Sequence, residues 1–135
     1  RLEAFDFEFG KARRDGGWLK GAAFALHQAV ERLYGCYLLA NPFYFPRSHN
    51  IKFRRSLAED REPRLVEAWA RDSKIDRRRF ELLKRAYVEA RYSASYEISA
   101  ADLEALAASA EKLRAIVEAI CGSHIADLKK AAGGS

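Results

Sequence analysis

The chain has 135 residues, of which 49% are hydrophobic and 32% charged, and its formal net charge is +5. This length and balance suit one soluble globular domain with a real core. No apolar run approaches the ~20 residues of a membrane-spanning helix and no secretory signal is visible, so we expect a cytoplasmic protein with no membrane partner.

The first part of the sequence predicts two helices separated by a glycine break. A first helix is expected over residues 2–14, and a pair of glycines then ends it. From Trp18 a stripe with heptad spacing continues for about 22 residues and predicts a long helix. Its members are Leu19, Ala23, Leu26, Val30, Leu33 and Tyr37. Pro42 and Pro46 end this helix in an aromatic loop.

Two shorter segments are expected in the middle of the chain. Ser48 or Asn50 can cap a helix over the stretch NIKFRRSLAED. The apolar positions of that helix are Ile51, Phe53, Leu57 and Ala58. Pro63 then starts a short segment. Its apolar residues are Leu65, Val66 and Trp69.

Two strongly patterned helices complete the predicted architecture. Ser73 caps a helix that ends near Tyr92, and Ser99 followed by Asp102 caps the last helix. The two stripes are Phe80, Leu83, Tyr87 and Ala90, and then Leu103, Leu106, Ala110, Leu113, Val117 and Ile120. Because no segment has a convincing strand pattern, we predict an all-α fold, an up-and-down antiparallel bundle of about five helices.

The domain is expected to occupy residues 1–130, followed by a flexible tail at 131–135. The sequence contains no methionine. We therefore expect it to be the C-terminal part of a longer protein.

Positive charge is concentrated in two segments. Residues 47–58 and residues 74–92 each carry a net charge of +4, while the rest of the chain is net negative. Clustered positive charge favours an anionic partner, such as a nucleotide, RNA or an acidic protein surface. The alternative is a solvated helix face whose long cationic side chains extend away from the core.

Two histidines are candidate ligand-binding residues. His27 lies one helical turn before Glu31, and the two could form part of a site or fix a helix contact. His49 lies in the proline-bounded loop beside a helix start, where the N-terminus together with neighbouring cations could hold a phosphate. Alternatively, its imidazole satisfies backbone groups of the turn.

The cysteines and acidic residues give no sign of a metal centre. Cys36 and Cys121 lie far apart in helical contexts, and we expect two buried, reduced thiols. No pair of histidines has metal-ligand spacing and no glycine-rich phosphate loop is present. We therefore expect no metal and no cofactor.

The stretch EARYSASYEIS, residues 89–99, forms the end of the second patterned helix and the turn after it. Arg91 could hold a phosphate through its guanidinium, while a neighbouring phenol stacks on a base. Lys84, Tyr92 and Tyr96 are the candidate ligand-binding neighbours. Alternatively, Arg91 pairs with an acid across a helix contact and the tyrosines complete the core.

Three stretches in order, AAFALHQAVERLYGCYLLA, PRSHNIKFRRSLAE and FELLKRAYVEARYSASYEIS, resemble the HEPN domains (higher eukaryotes and prokaryotes nucleotide-binding). The resemblance covers roughly residues 18–121. It implies a five-helix bundle that is often a homodimer. Members with RYSxxY, as here, commonly follow a nucleotidyltransferase domain, so the resemblance also implies such a neighbour.

Many members of this family are ribonucleases, often toxins of toxin–antitoxin pairs, and their signature is an arginine followed four to six positions later by a histidine. Arg91 matches, but Tyr92 replaces the usual polar residue and Tyr96 stands where the histidine is expected. A phenol with a pKa near 10 is a poor proton carrier at neutral pH. We therefore expect no catalytic residue and no efficient ribonuclease.

Three functional hypotheses follow. The first is a noncatalytic, homodimeric domain that binds a nucleotide, nucleic acid or protein partner and is accessory to a nucleotidyltransferase-type protein. The second is a divergent ribonuclease toxin that uses another acid–base residue, His27 or His49. The third is a purely structural dimerisation domain.

Overall fold

The computed structural model describes residues 19–40 and 50–133, with side chains described for 19–38, 50–90 and 92–122. Its elements are α1 (Leu19–Ala40), α2 (Ile51–Arg61), the 3₁₀ helix η1 (Pro63–Ala68), α3 (Lys74–Tyr92) and α4 (Ala100–Gly133). No strand occurs in these ranges, which confirms the predicted all-α helical bundle. The helix predicted over residues 2–14 lies outside the described residues.

The helix α1 lies at the centre of the bundle, because it packs against α2, α3 and α4. Its predicted stripe is confirmed, since Leu26 and Val30 are fully buried and its other members are buried or half-buried. The stripes of α3 and α4 close the same core, and each fully buried leucine contributes roughly 1.5–3 kcal/mol. Within the described ranges, no helix combines the length and the apolar character required to span a bilayer.

The buried face of α2 differs from the prediction at one position. Phe53 is 48% exposed, whereas Arg54 is buried. Arg54 follows the buried Ile51 by three residues and precedes the buried Ala58 by four, so it shares their face. Its Nη1 donates a hydrogen bond of 3.2 Å to the carbonyl oxygen of Glu31 on α1. Helical position, rather than hydrophobicity, therefore decides which of the two neighbours faces α1.

The helix starts are capped as the sequence predicts. Of the two candidates before α2, Asn50 is the cap, because its side-chain oxygen accepts a hydrogen bond of 3.0 Å from the backbone N–H of Lys52. Ser73 caps α3 by accepting from the N–H of Asp76 at 3.1 Å. Such a cap stabilises a helix by about 1 kcal/mol.

The start of α4 carries a reciprocal cap that also joins α4 to α3. Asp102 donates its backbone N–H to the Ser99 hydroxyl at 3.0 Å, while its carboxylate accepts the Ser99 N–H at 3.2 Å. The same carboxylate accepts from Arg79 at 2.9 Å and from Arg78 at 3.1 Å. Since α3 and α4 share few other contacts, this buried carboxylate is their main polar connection.

The environment of Asp102 favours its ionised form. Burial raises the pKa of its carboxyl, but the hydrogen bonds from Arg79 and from Ser99 outweigh burial and hold the pKa below its usual value. A carboxyl whose pKa is lower in the folded state stabilises the fold above its unfolded pKa. That contribution is lost as the pH falls through the folded pKa.

Replacing Asp102 with asparagine is expected to lower the free energy of unfolding by about 2 kcal/mol at neutral pH, because charged hydrogen bonds to two arginines are lost. The difference from the wild type should begin to shrink as the pH falls below about 4, the ordinary pKa of an unfolded aspartate, and should disappear once the pH is below the lowered pKa of the native carboxyl. Urea unfolding followed by circular dichroism measures both effects. Asp60→Asn, at an exposed position of α2, is the control. A difference that is independent of pH would contradict this account.

Candidate functional site

The two basic segments of the sequence meet at one cleft. It has a volume of about 400 Å³ and lies between α2, the residues after η1 and the first turns of α3. Its lining residues are Lys52, Arg55, Ser56, Glu59, Ala70, Arg71, Arg77, Phe80 and Glu81. We call this site the basic cleft. Four cationic side chains from three separate segments converge there.

Two of these cations are held in place by one carboxylate. Arg71 binds Glu59 through two hydrogen bonds, of 3.1 and 2.6 Å, and Arg55 reaches the same carboxylate at 3.2 Å. The hydrogen bond with Glu59 raises the pKa of Arg71, whereas burial lowers that of Arg55. One negative charge is thus shared by two guanidinium groups, which leaves the trio with a net positive charge.

The other two cations are more available to a ligand. Lys52 and Arg77 are exposed, and neither forms an ion pair with a carboxylate of the described residues. Arg77 donates one hydrogen bond, of 3.1 Å, to the carbonyl oxygen of Arg71. The second acid of the cleft, Glu81, pairs with Lys84 at 2.7 Å. The basic cleft therefore keeps an excess of positive charge.

An aromatic cluster forms the floor of the basic cleft. The guanidinium of Arg55 lies 4.3 Å from the centre of the Phe80 ring, and Trp69 packs edge-on against that ring at 4.9 Å. The Trp69 indole N–H donates a buried hydrogen bond of 2.7 Å to the Tyr34 hydroxyl on α1. Burial raises the pKa of Tyr34. The floor is thus anchored in the core, so Arg55 has a fixed position.

Tyr96, the residue at the position of the missing histidine, is a core residue. Its side chain is fully buried and its hydroxyl donates a hydrogen bond of 2.7 Å to the carbonyl oxygen of Leu82. Burial raises the pKa of the phenol above its ordinary value. The guanidinium of Arg85 lies 5.7 Å from the ring centre. The Tyr96 hydroxyl is therefore occupied, and its proton is held more tightly than in water.

A second, wider cleft of about 670 Å³ lies beside the turn that contains Tyr96. Its cations already have partners. Lys20 donates to the Ser93 carbonyl oxygen at 3.2 Å, and Arg78 binds Asp102. Its lining also includes Glu97. Although this cleft is larger, its acidic and basic groups balance, so an anion would gain less there than in the basic cleft.

The other predicted site residues are dispersed. His27 is fully buried, with its ring centre 5.3 Å from that of Tyr87. Lys84 is paired with Glu81, and Tyr92 is 76% exposed on α3. Among predicted site residues whose side chains are described, only Tyr96 lines the wider cleft and none lines the basic cleft.

Two predicted site residues lie where no side chain is described. His49 is outside the described residues, and only the backbone of Arg91, within α3, belongs to them. Their roles stay predictions. Sequence reasoning found the two basic segments but missed Arg71, which lies outside both of them. No periodicity marks it, because its role depends on contact with Glu59, twelve residues earlier.

A family model for the HEPN domain matches residues 6–120. The chain belongs to the HEPN family. This match confirms the resemblance drawn from the three sequence stretches, and it places the bundle in a family associated with nucleotides and RNA. No curated protein matches the chain significantly in sequence.

Replacing Tyr96 with phenylalanine is expected to lower the free energy of unfolding by about 1 kcal/mol, because the Leu82 carbonyl oxygen loses a buried donor. Urea unfolding measures the change. Tyr92→Phe, which alters an exposed phenol of the same region, should change stability by less than about 0.5 kcal/mol. If both variants unfold like the wild type, the buried hydrogen bond contributes nothing to this HEPN fold.

Proposed function

We propose that this HEPN domain is a noncatalytic module that binds the phosphate groups of a nucleotide or of RNA. The convergence of four cations at the basic cleft carries this proposal. Arginine and lysine side chains recognise phosphate through charge-assisted hydrogen bonds. Arg55 and Arg71 are already ordered by Glu59, so a ligand need not immobilise them.

The geometry favours phosphate binding over base recognition. The Phe80 ring, the aromatic surface that lines the cleft, is covered by the Arg55 guanidinium at 4.3 Å. A base therefore cannot stack on that face unless Arg55 moves. Contacts to phosphate fix the position of a nucleic acid without reading its sequence. We expect binding that depends strongly on salt and little on sequence.

The burial of Tyr96 supports the proposal that the domain is noncatalytic. General acid–base catalysis requires a group within reach of the substrate whose pKa lies near the working pH. The Tyr96 phenol is fully buried, its hydroxyl binds the Leu82 carbonyl oxygen, and its pKa is raised. A divergent ribonuclease toxin remains the second hypothesis. RNA cleavage that disappears in Arg91→Ala would favour it.

Changing Lys52 and Arg77 together to glutamine tests the basic cleft. We expect affinity for a labelled single-stranded RNA of about 20 nucleotides to fall at least tenfold. The slope of log K against log salt should become shallower by about 1.4, since each lost phosphate contact contributes about 0.7. Fluorescence anisotropy over a salt series measures both. Calorimetry with ATP and GTP distinguishes a nucleotide ligand from RNA.

The matched control is Lys112→Gln with Arg114→Gln, on α4. It removes the same net charge from residues that do not line the cleft. Equal weakening by both double variants would show diffuse electrostatic attraction, which contradicts a specific cleft. The proposal also fails if the wild type binds neither RNA nor millimolar nucleotide.

We also propose that the domain acts as a cytoplasmic homodimer, accessory to a nucleotidyltransferase domain. On α3, Val88 is 59% exposed and Tyr92 is 76% exposed. Residues four apart share a helix face, so these two side chains give α3 an apolar outer surface that suits self-association. A Gly-Ser motif followed by paired aspartates in the preceding coding sequence would support the nucleotidyltransferase neighbour.

Val88→Lys should convert the dimer to a monomer, because a charge placed in an apolar interface must lose its hydration. Sedimentation velocity measures the change. Val66→Lys, at a valine of η1 that is 40% exposed, is the control and should leave the dimer intact. A wild type that sediments as a monomer contradicts the dimer. If Val88→Lys dissociates the dimer and the cleft variants bind like the wild type, the role is purely structural dimerisation.

A further inference from the structure

The two cysteines of the chain lie in contact. The Sγ atoms of Cys36, on α1, and Cys121, on α4, are 3.7 Å apart although 85 positions separate the residues. The expectation of two buried thiols is wrong: Cys36 is exposed and Cys121 is partly exposed. Most of α1 is buried, so the exposed Cys36 thiol next to the thiol of Cys121 is a candidate reactive site.

We propose that Cys36 and Cys121 form an oxidation site, at which a hydroperoxide or a small disulfide such as glutathione disulfide joins α1 to α4 through an intramolecular disulfide. The sulfur atoms are already at van der Waals separation. Closing the bond requires an approach of about 1.7 Å, to the ~2.05 Å of a disulfide. This proposal does not rest on the proposed function, and neither cysteine lines the basic cleft.

An oxidant can reach this pair from solvent. Besides the exposure of Cys36, the backbone beside Cys121 is open, since a Cβ atom built on Gly122 would meet no heavy atom within 4 Å. The Cys121 thiol is partly buried. Burial and the neighbouring Cys36 raise its pKa to about 11. The thiolate is the reactive form of cysteine. Because Cys36 is the more exposed of the two thiols, it is the one that meets the oxidant first, and Cys121 resolves the product.

The chemistry balances in two steps. The Cys36 thiolate attacks one oxygen of hydrogen peroxide, the O–O bond breaks, and with one proton the products are a sulfenic acid and water. The Cys121 sulfur then attacks the sulfenic sulfur, forms the S–S bond and releases a second water, while the thiol proton goes to the departing oxygen. The two sulfurs together lose two electrons, and the peroxide gains them. With glutathione disulfide, the Cys36 thiolate attacks one sulfur and releases one glutathione thiolate, and the Cys121 thiolate then attacks the mixed disulfide at Cys36 and releases the second.

The disulfide would join the end of α1 to α4, and 85 positions separate the two cysteines that it links. A cross-link that closes so long a loop restricts the unfolded chain strongly. It would also fix the packing of α1 against α4, on which the core depends. The oxidised domain is therefore expected to be the more stable form, and reduction should restore the looser one.

The test treats the full chain with equimolar hydrogen peroxide and, in a separate arm, with excess glutathione disulfide. The intact mass should fall by about 2 Da as two hydrogens are lost, and digestion without reductant should give one peptide pair linked through Cys36 and Cys121. The melting temperature should rise by about 10 °C. Dithiothreitol should reverse both changes.

Cys36→Ser and Cys121→Ser are the matched variants, because each removes one sulfur and leaves the other. Neither should show the loss of mass or the rise in melting temperature. A disulfide between two chains, seen as a dimer on a non-reducing gel, would overturn the proposal. Irreversible addition of oxygen to the wild type, or a glutathione adduct that persists without conversion to the internal bond, would do the same.

Discussion

The carboxylate of Asp102 joins the start of α4 to the first turns of α3, and the arrangement of the turn that contains Tyr96 depends on it. It closes the cap with Ser99 and accepts hydrogen bonds from two arginines of α3. The α4 end of the connection between the helices is thereby held against the first turns of α3. Tyr96 lies in that turn, and its hydroxyl binds the Leu82 carbonyl oxygen of the preceding helix. Helix capping and the burial of the phenol thus support each other.

At the position of Tyr96, a histidine and a tyrosine would contribute differently: the histidine to acid–base chemistry, the tyrosine to the stability of the fold. A histidine at the position of Tyr96 would offer two ring nitrogens and a pKa near neutrality. A buried phenol instead adds apolar surface to the core and donates a hydrogen bond to a helix carbonyl, but it does not exchange its proton at neutral pH because burial raises its pKa. Under the proposed function, the positive charge of the basic cleft serves to hold an anion. The basic cleft is formed by other segments, and Tyr96 does not line it.

The sequence predicts the helices and their buried faces well, because periodicity and capping are local signals. Ser73 and Ser99 cap the predicted helices, and the stripes of α1, α3 and α4 are buried. Contacts between distant residues are not encoded locally. The spacing of Arg54 from Ile51 and Ala58 places it on the buried face of α2, but its hydrogen bond to a carbonyl oxygen of α1 cannot be read from that spacing. The contact between Cys36 and Cys121 likewise depends on how α1 and α4 cross, which no spacing reveals.

The four cationic side chains of the basic cleft differ in whether they already have a carboxylate partner. Arg55 and Arg71 are ordered by Glu59 and by the aromatic floor, so they set the shape and potential of the cleft. Lys52 and Arg77 are exposed and have no carboxylate partner among the described residues, although Arg77 donates one hydrogen bond to the Arg71 carbonyl oxygen. A cation that already has a carboxylate partner gains less from phosphate, since the existing ion pair must be shared or broken. Lys52 and Arg77 are therefore expected to supply most of the affinity. Arg55 and Arg71 supply a positive potential that is already in place before the ligand binds.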